Sequence, residues 1–384
     1  MAYKPTENIS AYIHIPFCEH ICYYCDFNKV FIQGQPVDDY IQALLKEIEL
    51  TFKQHPTQNC ETIYIGGGTP TSLSANQLET LLNGIHNKLP THSTKEFTVE
   101  ANPGDLTQEK LEVLKAYGVN RISMGVQTFN DRLLKKIGRK HTAKDVYQTI
   151  KLLDKHQFDN ISIDLIYALP NQTIDDFRDS LNQAIALDLP HYALYSLILE
   201  NKTMFMNWVR QGRLELPSQE IESQMFLETI QEMESSFHFQ YEISNFAKKG
   251  YESKHNLVYW NNENYYGFGA GASGYLDNLR YRNFGPIQHY LKPLQQEKLP
   301  RLETETLSKK NQIEEEMFLG LRKTEGVSLK EFNSKFHLNL LEVYKNVLPA
   351  LIQKNWITVN QEQIKLTRTG IFLGNEVFEK FLLD

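Results

Sequence analysis

Six times across residues 1–244, a short run of β character gives way to an amphipathic stretch at helical spacing. The candidate strands cover 11–15, 62–65, 97–100, 121–125, 161–165 and 193–199. The helical stretches cover 37–52, 75–87, 107–117, 131–157, 174–187 and 219–237. This alternation restricts the chain to a parallel sheet, because each strand needs a crossover before the next can lie beside it. The strands read as mostly apolar, as burial on both faces asks. In 106–119, Leu111, Val113, Leu114 and Tyr117 recur at roughly helical spacing, and Asp105 ahead of Thr107 suits a helix start. Six units are too few for a closed eight-fold barrel. The predicted fold class is therefore α/β, a partial (βα)6 TIM-like barrel.

After Tyr241 the pattern changes. Residues 245–306 form a connecting region whose first part is rich in Gly, Asn and aromatics, and it is predicted to be irregular and functional. A small, mostly helical domain is predicted over 307–384. It holds helices at 328–336 and 340–354, then a hairpin of 356–359 and 364–367 around a polar turn. That order is winged-helix-like and raises DNA binding as a rival. Charge argues against it: residues 301–384 hold 12 basic and 12 acidic side chains, and the whole chain carries −7. A structural or protein-contact role is expected for this tail, with no nucleic-acid partner.

A hydrophobic content of 41% and a charged content of 23% fit a globular chain. Residues 1–10 are polar, without a basic start and apolar run, and no segment reaches the ~18 apolar residues of a membrane helix. The four cysteines do not make a disulfide framework, since three lie within eight positions. A cytoplasmic location is expected, where clustered thiols stay reduced.

Those three cysteines, Cys18, Cys22 and Cys25, follow the first strand at C-x3-C-x2-C spacing, with Pro16 breaking regular structure ahead of them. Three readings stand on the residues alone. One is a packing stripe on a helix face. Another is zinc, with His14 or His20 as fourth ligand. The third is an iron–sulfur cluster on three thiolates, which leaves one iron open to a cofactor or substrate. Cys60 has no partner motif and reads as an ordinary buried or half-exposed thiol.

The spacing, with Tyr24 before the last cysteine, resembles the signature of the radical S-adenosylmethionine (SAM) superfamily. The context Tyr12-Ile13-His14-Ile15-Pro16-Phe17-Cys18 is similar to the oxygen-independent coproporphyrinogen oxidase family and the heme chaperones within it. So are Tyr241-Glu242-Ile243-Ser244-Asn245-Phe246 and Glu315-Glu316-Met317-Phe318-Leu319-Gly320-Leu321-Arg322. The resemblance implies a [4Fe–4S] cluster on Cys18, Cys22 and Cys25, with SAM chelating the open iron. It also implies that Gly67, Gly68 and Thr69 of the Gly66-Gly67-Gly68-Thr69-Pro70 loop contact SAM, and that Tyr12, Tyr24, Glu100, Gln127, Arg139 and Asp164 line its pocket. The chemistry agrees: carboxylates suit ribose hydroxyls and Arg suits a carboxylate.

Two departures separate the oxidase from the chaperone. The oxidase carries another cysteine two positions after the last cluster ligand, where this chain has Phe27, and a longer extension before the cluster. His255-Asn256-Leu257-Val258-Tyr259-Trp260 resembles the H-N-x-x-Y-W motif of the heme chaperones, so His255, Asn256, Tyr259 and Trp260 are implied contacts for heme b. A His can ligate heme iron, and Tyr and Trp offer flat faces to a macrocycle. The implied function is delivery of heme to apo-hemoproteins, in the family often respiratory enzymes, which would add a peripheral contact at the inner face of the membrane. Coproporphyrinogen III decarboxylation is the alternative. Ala168 stands where the family usually has Gly, and Ser273 where relatives often have His.

Overall fold

The computed structural model describes residues 6–383; residues 1–5, half of the polar start noted above, lie outside them. β1 (Thr6–Ile15) is followed by the short β2 (Phe17–Cys18) and β3 (Val30–Phe31), which pair with each other. Then come β4 (Thr57–Gly67), β5 (Glu96–Ala101), β6 (Arg121–Gln127), β7 (Asn160–Tyr167) and β8 (His191–Ser196). β1, β4, β5, β6, β7 and β8 pair in that order, all parallel. Helices α1 (Val37–Gln54), α2 (Ala75–Lys88), α3 (Gln108–Ala116), α4 (Asp131–Lys136), α5 (Ala143–Lys155) and α6 (Ile174–Ala186) make the crossovers. This is the predicted six-unit partial barrel.

Four local expectations change. The single helix over 131–157 is two, because the chain turns at Gly138 in the left-handed region and restarts at Thr142, whose capping box with Asp145 opens α5. The strand expected over 193–199 starts at His191 and stops at Ser196. Thr107, not Asp105, caps α3, by accepting from the Lys110 amide. The strands are also not apolar on both faces. Ile13, Ile63, Val99, Ile122 and Ile163 face the helices and are fully buried in the main core. The alternate positions Tyr12, Tyr64, Glu100, Ser123 and Asp164 carry polar side chains to the inner face, which is where a period of two must send them.

Residues 245–306 correct the expectation of irregularity. After α7 (Met204–Arg210) and α8 (Gln219–Ser235), β9 (Phe239–Glu242) and β10 (Asn245–Ala247) extend the sheet beyond β8. α9 (Lys254–Trp260) then leads to β11 (Tyr265–Phe268), which joins β1 in parallel on the opposite side. β12 (Ser273–Leu276), β13 (Leu279–Asn283), α10 (Ile287–Gln295) and β14 (Arg301–Thr306) complete a sheet of twelve strands among the described residues. The glycines that suggested a loop serve close strand contacts: a Cβ on Gly267 would collide with the Ser273 carbonyl, and one on Gly274 with the Tyr281 ring.

α11 (Lys309–Gly320) opens a smaller unit with its own core, in which Met317, Phe332, Tyr344, Ile364 and Phe381 are buried. Its strands β15 (Val327–Ser328), β16 (Ile357–Val359) and β17 (Gln363–Leu366) include the expected hairpin. The helix expected over 340–354 is broken into Leu340–Val343 and Leu348–Gln353. Arg280 ties this unit to the barrel by a salt bridge to Glu315.

Candidate functional site

The C-terminal ends of the parallel strands open on a cleft of about 420 Å³, within the range of small-molecule sites. Its wall gathers Cys18, Cys22, Tyr24, Cys25, Gly67, Gly68, Thr69, Glu100, Gln127, Arg139, Asp164 and Asn256. Twelve of the sixteen residues expected at a cofactor or metal therefore share one surface. Tyr12, His255, Tyr259 and Trp260 do not line it.

The cysteine loop is held at both ends. β2 carries Cys18 into the cleft, where the Ile32 amide donates to the Cys18 carbonyl at 3.0 Å. The Cys25 amide closes a turn onto the Cys22 carbonyl at 3.3 Å. Cys18 is buried while Cys22 and Cys25 are half-buried. Burial pushes the Cys18 thiol up to about 11 and also raises Cys25. Thiolates there call for positive charge, and iron would supply it. His14, one of the offered zinc ligands, is already engaged: Nε2 donates to the Asn28 carbonyl at 2.7 Å and Nδ1 accepts from the Tyr12 hydroxyl at 3.0 Å. Cys60 is fully buried in β4 and away from the loop, its thiol pushed up to about 12 by burial.

Gly66, Gly67 and Gly68 leave β4 where no side chain fits. A Cβ on Gly66 would lie 2.8 Å from Glu100, one on Gly67 2.5 Å from the His14 ring, and one on Gly68 2.7 Å from the Phe17 carbonyl oxygen. Gly67 also needs φ of 115°, which an L side chain resists. Thr69 donates to the Cys18 sulfur at 3.7 Å and accepts from Asn102 at 3.1 Å, and Asn102 in turn accepts from Arg139. A polar chain thus joins the guanidinium to the first cysteine. Arg139 reaches the cleft because Gly125 leaves room; a Cβ there would lie 2.7 Å from Arg139 Nη2. The break between α4 and α5 supplies the turn that presents it.

Glu100 ends β5 with its carboxylate anchored at both oxygens. Tyr64 donates to Oε1 at 2.8 Å and the Gly67 amide to Oε2 at 3.0 Å. Burial, then the Asp164 charge, lifts Glu100 to about 7, and burial lifts Asp164 to about 6. Gln127 has φ of 70° beside a bulge in the β6–β7 pairing, a device that re-aims a side chain at a site. Two guanidinium nitrogens in the cleft wall, Arg121 Nε and Arg139 Nε, are buried with no hydrogen-bond partner among the described residues. Unpaired donors of that kind fit an anionic or oxygen-rich ligand. Arg121, Ser123, Ser162 and His191 line the lower cleft and were missed from the sequence. Their signal was the two-residue period: Arg121, Ser123 and Gly125 share a face with Gln127.

α9 closes the floor of the barrel. Glu96, at the start of β5, accepts from the amides of Lys254 and His255 at 2.9 and 3.0 Å, which seats the helix N-terminus. His255 is 1% exposed. Its Nδ1 bonds Thr62 Oγ1 at 2.7 Å and its Nε2 bonds the Tyr259 hydroxyl at 2.9 Å. Burial, then the Arg121 charge, lowers its imidazole to about 3, so the ring is neutral. Trp260 is half-buried, with the Arg322 guanidinium 4.5 Å from its ring centre. Phe27 stands at the cleft mouth, 62% exposed.

A parallel partial barrel whose first strand delivers three cysteines to a glycine-lined cleft defines a radical SAM protein. The Radical SAM superfamily model matches residues 12–184, and the HemN C-terminal domain model matches residues 307–373. This is a superfamily of [4Fe–4S] clusters and SAM. Coproporphyrinogen III oxidase (HemN) from Escherichia coli, a radical SAM enzyme, shares the fold: TM-score 0.86 at 22% identity, over 99% of this chain and 91% of that one. In sequence, the chain is 52% identical to heme chaperone HemW of Lactococcus lactis over 384 residues, covering 100% of this chain and 99% of the relative. It is 52% identical to that of Bacillus subtilis over 374 residues, covering 97% and 99%. The chain belongs to the HemW family of heme chaperones.

Proposed function

We propose that the protein binds heme b and passes it to apo-hemoproteins, while carrying a [4Fe–4S] cluster on Cys18, Cys22 and Cys25 and SAM in the cleft above the barrel. The observation that carries this reading is the end-to-end likeness to the Lactococcus and Bacillus heme chaperones. Phe27 supports it, since an exposed phenyl at the cleft mouth replaces the further cysteine of the oxidase.

When bound, the cluster supplies an open iron for the amino and carboxylate groups of SAM and a route for one electron. The chain's own groups do the rest. Arg139 and the unpaired Arg121 nitrogen offer charge to a carboxylate or to ribose oxygens. Glu100, already oriented by Tyr64 and Gly67, keeps lone pairs for ribose hydroxyls. The glycine loop brings backbone close to the ligand, and Gln127 and Asp164 border its far side. Heme contact is assigned to His255, Asn256, Tyr259 and Trp260. Iron ligation through His255 Nε2 requires the Tyr259 hydroxyl to release that nitrogen, and Trp260 offers a half-exposed ring to the macrocycle. Respiratory acceptors would bring the protein to the inner face of the membrane. No helix among the described residues is long and apolar enough to cross one.

The test is an anaerobic heme titration of cluster-loaded protein, with porphyrinogen turnover assayed in parallel in the presence of SAM. Saturable heme binding without turnover is expected. SAM-dependent vinyl formation would replace this reading with coproporphyrinogen decarboxylation.

A further inference from the structure

The H-N-x-x-Y-W helix is built into the barrel directly beneath the cleft. Asn256 is part of the cleft wall, and one residue earlier the His255 ring stacks on Tyr64, with ring centres 5.2 Å apart and planes 27° apart. Tyr64 is the residue whose hydroxyl orients Glu100. Tyr12 covers the ring from another side, at 6.2 Å and 27°. Thr62, two residues before Tyr64 on the inner face of β4, fixes the imidazole through Nδ1, and Tyr259 holds Nε2. A continuous line of contacts thus runs from α9 through His255 and Tyr64 to Glu100, and from Glu100 to the Gly67 amide.

We propose that His255 is a positioning residue for the SAM site: seated by Thr62 and Tyr259, its ring fixes Tyr64 and, through Tyr64, the carboxylate of Glu100. This deepens the proposed function and rests on its placement of SAM beside Glu100. Two physical points favour it. A neutral, fully buried imidazole bonded at both nitrogens has one orientation, so the flat face it offers to Tyr64 is fixed. The Tyr64 hydroxyl donates to Glu100 Oε1 at 2.8 Å, and above about pH 7, where that carboxyl is ionised, the bond is charge-assisted and among the stronger ones. A further consequence is that loss of heme binding in a His255 variant does not by itself demonstrate iron ligation, because the same substitution disturbs the cleft.

The test measures SAM binding by equilibrium dialysis in heme-free, cluster-loaded protein, alongside iron content and the SAM-induced change in the electron paramagnetic resonance spectrum of the reduced cluster. Tyr64→Phe keeps the ring and removes only the bond to Glu100. Both His255→Ala and Tyr64→Phe are expected to weaken SAM binding about ten-fold, the scale of one lost hydrogen bond to a charged group, with iron content at the wild-type level. A merely structural His255 would leave the SAM-induced spectral change intact wherever the cluster loads. Wild-type SAM affinity in Tyr64→Phe overturns the proposal even if His255→Ala does not fold. Wild-type protein that loads its cluster and binds no SAM overturns the placement of SAM as well. A wild type that binds SAM while both variants bind it equally well overturns the proposal alone.

Discussion

Gly68→Ala should loosen the cluster without unfolding the barrel. Gly68 does not need a left-handed backbone, so the effect is steric. An added Cβ would lie 2.7 Å from the Phe17 carbonyl oxygen, 2.9 Å from the Pro16 carbonyl carbon and 3.0 Å from Cys18 Sγ. The first of these is about 0.7 Å inside ordinary van der Waals contact, which begins at 3.4 Å. Two of the three neighbours are backbone, and that backbone is tied down, since the Gly68 amide donates to the Ile15 carbonyl and the Thr69 amide to the Phe17 carbonyl, both at 2.8 Å. The thiol of Cys18 is the part free to yield. Overpacking of this size costs about 1–3 kcal/mol, and about 2 kcal/mol against the ligating geometry is roughly a 30-fold loss in cluster affinity. The assay is the rate of iron loss from reconstituted protein to a ferrous chelator under anaerobic conditions. Gly104→Ala is the comparison, because Gly104 has φ of 87° but, among the described residues, nothing within 4 Å of its Cβ position. It should lose about 1 kcal/mol of stability to backbone strain and keep its iron. Iron retention by Gly68→Ala at the wild-type rate, or equal losses from both variants, would refute the steric reasoning.

Ala168 has φ of 58°, which explains why Gly is usual there, and Ala168→Gly should raise stability by about 0.5–1 kcal/mol in urea unfolding. Glu47 is fully buried between Asn283, Tyr290, the Gly269 amide and Arg301, joining α1 to the β11–β14 extension. Glu47→Ala should therefore cost about 3–5 kcal/mol, by leaving the Arg301 charge with only the neutral hydrogen-bond partners Asn283 and Thr51, read as a lowered unfolding midpoint. Glu100 and Asp164, raised to about 7 and about 6, bind protons more tightly folded than unfolded. Their stabilising contribution in SAM-free protein is complete below about pH 4 and is lost as pH rises through 6 to 7. Melting temperatures measured from pH 4 to 8 should show this fall, and Glu100→Gln with Asp164→Asn should flatten it; an unchanged slope would contradict the assignment.

The barrel was legible because periodicity records burial. The six strands and their crossover helices appear where apolar runs and helical spacing put them, apart from the break at Gly138 and the shifted bounds of β8, and three cysteines within eight positions mark the loop after β1. The inner face was legible in principle too. In Arg121-Ile122-Ser123-Met124-Gly125-Val126-Gln127, every second residue lines the cleft, but an apolar average hides that alternation. What sequence did not carry was long-range placement. Nothing local says that β11, 250 residues after β1, lies parallel beside it, or that glycines at 267 and 274 mark close strand packing rather than a loop. For the same reason the sequence marks His255 as an implied heme contact without naming the partners Thr62 and Tyr259, which occupy both of its nitrogens. Asn102, the link between Thr69 and Arg139, carries no motif at all and is found only by its contacts.

The most direct test of the whole account is heme transfer. Cluster-loaded protein charged with one equivalent of heme b is mixed with an apo-hemoprotein, and the acceptor's absorbance and regained activity are followed against free heme as control. Heme is expected to leave this protein for the acceptor in a protein-dependent manner, without porphyrinogen turnover. Heme that stays bound, or that reaches the acceptor no differently from free heme, would contradict it.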